Sequence, residues 1–102
     1  MNVKIFRLNS GEELISRFEE TPDFWILKNA AVLIPMGQGQ IGMMPWLAYT
    51  KAEKGISIPK SYVAFTVDPM DEMKDQYDQN LNTGLVTPSK TMSKPSGLKL
   101  TT

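Results

Sequence analysis

Val3-Lys4-Ile5-Phe6-Arg7-Leu8-Asn9-Ser10-Gly11-Glu12-Glu13-Leu14-Ile15-Ser16-Arg17-Phe18 alternates apolar and polar residues toward a Ser-Gly turn, then alternates again away from it. Period-two alternation on both sides of a turn signal predicts two antiparallel strands joined by a tight loop. A strand beginning at residue 3 makes the expected fold a small all-β domain from its first turn onward. Such a fold points toward barrels that bind or assemble, and away from sheets that carry cofactors.

The next apolar segment, Phe24-Trp25-Ile26-Leu27-Lys28-Asn29-Ala30-Ala31-Val32-Leu33-Ile34, opens with four apolar residues in a row. That composition suits a strand buried on both sides for part of its length, as a tightly curled sheet requires. A buried helix competes for eleven such residues, but Phe-Trp-Ile and Val-Leu-Ile favour strand and Pro35 closes the run. Pro35 to Gly42 reads as a Gly-rich loop. A fourth strand is expected over Ile41–Thr50, with Pro45 placing it at a sheet edge or bulge. After a turn at Lys51–Gly55, Ile56 and Ile58 alternate in one phase and Val63, Phe65 and Val67 in the other. The flip around Pro59-Lys60-Ser61 implies a kink or tight turn in an otherwise continuous β path.

Asp68-Pro69 has the form of an N-cap followed by proline at the first helical position, with Asp71 and Glu72 in the first turn. Met70, Met73, Tyr77 and Leu81 recur near helical spacing, so a short amphipathic helix is expected over Pro69–Asn80. Residues 82–102, rich in Thr, Ser, Pro, Gly and Lys, read as a flexible tail after a barrel-plus-helix body at 1–81.

A chain of 102 residues, 41% apolar, suits one domain with one core. It contains no apolar run long enough to span a bilayer and no basic-then-apolar leader, so a cytoplasmic protein with no membrane partner is expected. Histidine and cysteine are both absent. That removes the commonest general base, the commonest metal ligand and every Ser-His or Cys-His nucleophile pair, so no enzyme is expected. All eleven acids lie within residues 1–81 against eight bases, while residues 82–102 hold only Lys90, Lys94 and Lys99. An acidic body argues that nucleic acid, if bound, is held by a local patch.

Gly37-Gln38-Gly39-Gln40-Ile41-Gly42 matches the dinucleotide pattern G-x-G-x-x-G letter for letter. The pattern works only when a helix N-terminus follows to hold the pyrophosphate. Met43-Met44-Pro45-Trp46 starts no such helix, so the segment is read as a strand connection and no cofactor is expected. Glu12-Glu13 and Glu19-Glu20 fall on strands, where neighbours point to opposite faces, so neither pair presents two carboxylates to one substrate, and a metal site built from carboxylates alone finds no support in the pattern. Met43, Met44, Met70 and Met73 with Trp46 suit either ordinary core or a protein–protein contact surface.

The order strand, Gly turn, strand, bent strand, variable loop, strand, tight turn, strand resembles the Sm/Lsm fold over roughly residues 3–68. Val3–Gly11 resembles the family's first strand and turn. Phe24–Ala30 resembles the third strand of its first motif, and Ile58-Pro59-Lys60-Ser61-Tyr62-Val63-Ala64-Phe65 resembles its second motif. Ser10-Gly11-Glu12-Glu13, Met44-Pro45-Trp46-Leu47, Tyr77 and Gly84-Leu85-Val86 are similar to stretches of small Sm-like proteins of tailed phages. Three departures stand out. The chain opens with a strand where Sm proteins open with a helix. Glu20-Thr21-Pro22-Asp23-Phe24 only loosely represents the Asp-x-x-x-Asn loop, and Pro59-Lys60 replaces the Arg-Gly step.

The resemblance implies a five-stranded, strongly bent Sm-like barrel that assembles into a homo-oligomeric ring of five to seven subunits. Met44, Trp46, Leu47, Val63 and Phe65 then form the oligomer interface. It also implies single-stranded RNA as partner, with Phe24 stacking on a base, Asp23 or Ser61 reading its edge and Lys60 meeting the phosphate. The alternative is a structural or adaptor ring without nucleic acid. In a phage the compartment would be the host bacterium's cytoplasm.

Overall fold

Alternation in the opening segment becomes an antiparallel pair in a computed structural model that describes residues 2–83. Strand β1 (Val3–Leu8) runs against β2 (Glu13–Glu20), with Ile5 opposite Ile15 and Phe6 opposite Leu14. Gly11 turns the corner at φ 110°, a backbone conformation that favours glycine. The Ser10 hydroxyl donates to the Glu12 carboxylate beside it and holds that group below the usual carboxylate range.

The long strand β3 (Phe24–Gly37) follows, then β4 (Gln40–Pro45), β5 (Ile56–Pro59), β6 (Val63–Val67) and helix α1 (Asp71–Thr83). One mixed-length antiparallel sheet results, ordered β4-β3-β2-β1-β6, with β5 also pairing β3. The first half of β3 pairs β5 and its second half pairs β4, so a single strand serves two partners on one side. The mostly-β expectation with a short C-terminal helix therefore holds. There are six strands where five were expected, because the 3-10 turn Lys60–Tyr62 cuts the Ile56–Val67 path into two strands.

Asn29 explains how β3 bends. It takes φ 56°, a left-handed conformation that asparagine tolerates better than most residues. Before it, Trp25 and Leu27 face the inside of the curl; after it Ala30 and Val32 do, and Ala31 and Leu33 face outward. The phase switch moves one strand from one layer to the next. Opposite it, the β2–β3 register slips between Ile15 and Arg17. The polar groups at the bend are satisfied from both sides. The buried Ser16 hydroxyl is 2.7 Å from the Arg17 carbonyl and 3.1 Å from that of Lys28. Tyr77 Oη donates to the Asn29 carbonyl at 2.8 Å and accepts from the Arg17 amide at 3.2 Å.

The two faces hold separate apolar clusters. Inside lie Phe6, Leu8, Leu14, Leu27, Ala30 and Ile58, flanked by Phe18, Trp25, Val32, Trp46, Ile56 and Val63. On the outer face α1 sets Tyr77 on Val3, Ile15 and Ala31, with Met73 and Leu81 at the flanks.

Several boundaries differ from the sequence reading. The Gly-rich segment is a two-residue hairpin, because Gly37 pairs Gln40 and both Gln38 and Gly39 have positive φ, the requirement of a type I′ turn. The fourth strand stops at Pro45, and residues 46–49 turn away. Phe24 is exposed rather than buried on both sides. The helix starts at Asp71, and Met70, whose carbonyl accepts from the Lys74 amide, takes the capping position expected of Asp68. Asp68 instead pairs with Lys4 at 2.9 Å. The helix also runs to Thr83, past the expected start of the tail, and residues 84–102 lie outside the described residues. Among the described residues no helix is long and apolar enough to cross a membrane.

Candidate nucleic-acid and assembly sites

Asp23 and Phe24 lie far from Lys60 and Ser61 in sequence, and the fold brings the two turns together. Pairing of β3 with β5 sets Phe24 opposite Pro59, and the Lys60 amide donates to the Asp23 carbonyl at 2.9 Å. Thr21 stiffens the first turn: its hydroxyl accepts from the Phe24 amide at 3.0 Å. Asn9 ties the second turn to β1, donating through its side chain to the Ser61 carbonyl at 2.8 Å and through its amide to the Tyr62 carbonyl at 2.9 Å. Phe24 is 42% exposed, and Tyr62, an aromatic that the sequence reading passed over, is 43% exposed. An aromatic next to a tight turn was the signal available for Tyr62.

Electrostatics oppose the role expected of Lys60. Its ammonium lies 2.5 Å from a Glu20 oxygen and 4.9 Å from the centre of the Trp25 ring. Lys28 is similarly paired with Glu19 at 2.7 Å. Both lysines of this end are thus neutralised, while Asp23 has no cationic partner among the described residues. An incoming phosphate at Lys60 would have to displace Glu20.

The five expected interface residues divide into two groups. Met44 and Phe65 are exposed on edge strands. Trp46 and Val63 pack against the inner cluster, and Leu47 is half-buried at φ 55° in the turn after β4, its carbonyl accepting from the Thr50 amide. The split at Val63 and Phe65 has a local cause. The β1–β6 register slips between Arg7 and Leu8, so Val63 opposes Leu8 on the inside while Phe65 opposes Arg7 on the outside. The phase change expected at Pro59–Ser61 is present across the Lys60–Tyr62 turn, since Ile56, Ile58 and Val63 all pack on the inner cluster, and the slip adds a second one within β6. Val67, opposite Ile5 and 46% exposed, joins Phe65 on the outer face.

No strand among the described residues pairs with the outer side of β4, β5 or β6. The edges are unequal. Gln76 of α1 reaches the Ile41 carbonyl on β4 at 3.4 Å, and β4 and β5 each end in proline. Val63-Ala64-Phe65-Thr66-Val67 has neither charge nor proline, the devices that usually blunt an edge strand. Among the described residues no group of three or more acids is arranged to hold a metal ion. No protein-family model matches the chain, and a comparison with curated proteins gives no match.

Proposed function

We propose that this chain is a Sm-like, ring-forming domain whose copies join edge to edge, β6 of one against the β4 or β5 side of the next. The observation that carries the reading is the bare β6 edge, five uncharged residues, four of them of high β propensity, with Phe65 and Val67 of that strand half exposed. Such a strand in a lone monomer is an aggregation template, and pairing in a closed ring removes it. The edges at opposite ends of the sheet make a head-to-tail contact, which closes into a ring; five to seven subunits is the range the Sm resemblance implies. Light scattering on purified protein is expected to return that mass, and a monomer at micromolar concentration overturns the reading. Phe65→Asp is expected to dissociate the ring, since an unpaired charge in such a contact costs several kcal/mol.

A second reading, single-stranded RNA binding by the ring, is favoured by the junction of the Asp23-Phe24 and Lys60-Ser61 turns, with Phe24 open to solvent. Affinity for uridine-rich single strands, measured across a salt series, tests it. Electrostatic binding weakens steeply with salt. A protein with no such affinity is an adaptor ring working through protein contacts alone.

A further inference from the structure

Four of the eight basic side chains in residues 2–83 are in ion pairs: Lys4 with Asp68, Arg7 with Glu13, Lys28 with Glu19 and Lys60 with Glu20. Arg17 is held by the Asn29 side chain. Lys51, Lys54 and Lys74 have no carboxylate or other side-chain acceptor among the described residues. Two of these three share one loop, and so does Tyr49, which at 87% is the most exposed large apolar side chain among the described residues.

The loop is built to hold those groups in place. Thr50 closes a turn on Leu47 through its amide at 3.0 Å and its hydroxyl at 2.7 Å, leaving Tyr49 at the corner. The same hydroxyl accepts from the Ala52 amide at 3.1 Å and leads the chain into the 3-10 turn Ala52–Lys54. The Lys54 amide donates to the Lys51 carbonyl at 3.2 Å. A 3-10 turn has three residues per revolution, so positions i and i+3, here the cap Lys51 and Lys54, leave the backbone on one side of it. Glu53 is a third of a turn away and lines a small cavity with Asn29, Trp46 and Leu47. Two lysines without an ion pair on one side of a turn, with Glu53 directed to another, are matched by successive phosphates, and an open aromatic two residues before Lys51 is matched by a base.

Resting on the RNA-binding reading, we propose that single-stranded nucleic acid is held by this loop, Lys51 and Lys54 on the phosphates and Tyr49 stacked on a base, and not by the Lys60 turn. The test is binding of a labelled twelve-nucleotide uridine oligomer to the full chain across a salt series, with inorganic polyphosphate as a second probe. Lys51→Ala combined with Lys54→Ala is expected to flatten the slope of log affinity against log salt by about 1.4, at roughly 0.7 per single-strand phosphate contact. Tyr49→Ala is expected to weaken the oligomer about fivefold or more and leave polyphosphate unchanged, because only a base offers a stacking face. Lys74→Ala, a lysine without an ion pair but outside this loop, is expected to bind as the parent does. None of these positions is buried, and unchanged melting temperatures show that each variant is folded.

Parent affinity that survives the loop variants but falls with Lys60→Ala or Phe24→Ala overturns this inference and leaves the RNA reading standing at the first site. Polyphosphate bound as tightly as the oligomer, with Tyr49→Ala silent, overturns it in favour of a simple polyanion patch. A parent with no affinity for the oligomer removes the RNA reading itself, and this inference with it.

Discussion

Inside the curl, Phe6, Phe18 and Trp25 meet edge to face with ring centres 5.3–5.8 Å apart, and among the described residues the one polar group seen against these rings is the Lys60 ammonium, 4.9 Å from the centre of Trp25 at the rim. On the outer face the largest buried side chain is Tyr77, which brings a hydroxyl into the bend of β3 and hydrogen-bonds three backbone groups around it. The buried members of the inner cluster, none of which carries a polar side chain, are held by area and shape. The outer cluster also has a polar anchor that fixes where the helix sits along the sheet. One face specifies that the sheet curls; the other specifies where β3 bends and which turn of α1 lies over that bend.

The sharpest way to break this contrast is at its apolar end. Phe6 is fully buried and touches both other rings, so Phe6→Ala leaves a void at the centre of the curl that no neighbour can fill from one side. The expected loss is about 3–5 kcal/mol, read by chemical denaturation. For a domain of this size that is a large fraction of total stability. A loss under about 1 kcal/mol would mean that the curl is held from the helix side.

The same contrast explains what could be read from the sequence. Val3 to Phe18 announced its strands through its alternation and its Ser-Gly turn, although Ile5-Phe6 and Leu14-Ile15 break the period because these strands are apolar on both faces. The helix was visible from Met73, Tyr77 and Leu81, and misplaced at its start because Asp68 is a good capping residue that a more distant partner, Lys4, engages instead. The bend was foreseen as a property of β3, yet its position at Asn29 depends on Tyr77, nearly fifty residues away. A local pattern carries no trace of that contact. The site follows the same rule. That Asp23-Phe24 and Lys60-Ser61 meet followed from the Sm resemblance, but the ion pair that occupies Lys60 joins residues forty apart. The Val63–Phe65 face change comes from a register slip against β1, which β6 alone does not encode.

Removing only the anchor separates the two clusters more finely. Tyr77→Phe keeps the ring among Val3, Ile15 and Ala31 but leaves the Arg17 amide and the Asn29 carbonyl without their partner. A buried group so stranded costs about 1–3 kcal/mol. The variant also carries a pH signature. Burial pushes the Tyr77 phenol up to about 12, against about 10 in an unfolded chain. The folded protein therefore holds this proton more tightly than the unfolded one. Its contribution is fully present below pH 10 and is lost as pH rises from 10 toward 12. The stability gap between parent and Tyr77→Phe should narrow across that window in paired denaturation curves. A constant gap would show that the hydroxyl is not what anchors the helix.

The smallest effect is expected from removing the residues after α1. Among the described residues, every member of the inner or outer cluster lies between Val3 and Leu81, and α1 ends at Thr83. A chain ending at Thr83 keeps all of them, together with β6 and its edge. It loses Lys90, Lys94 and Lys99, and so leaves an acidic protein with eleven acids against eight bases. Its melting temperature is expected to match that of the full chain, and light scattering should return a mass lower only by the deleted residues of each copy. At low salt the truncated chain should elute later from an anion-exchange column, which confirms the charge change independently of folding. A lower melting temperature would instead assign Leu85 and Val86 to the outer cluster, extending its apolar contacts beyond Leu81. The helix face would then rest on more than its tyrosine, and the contrast between the two clusters would narrow from the helix side.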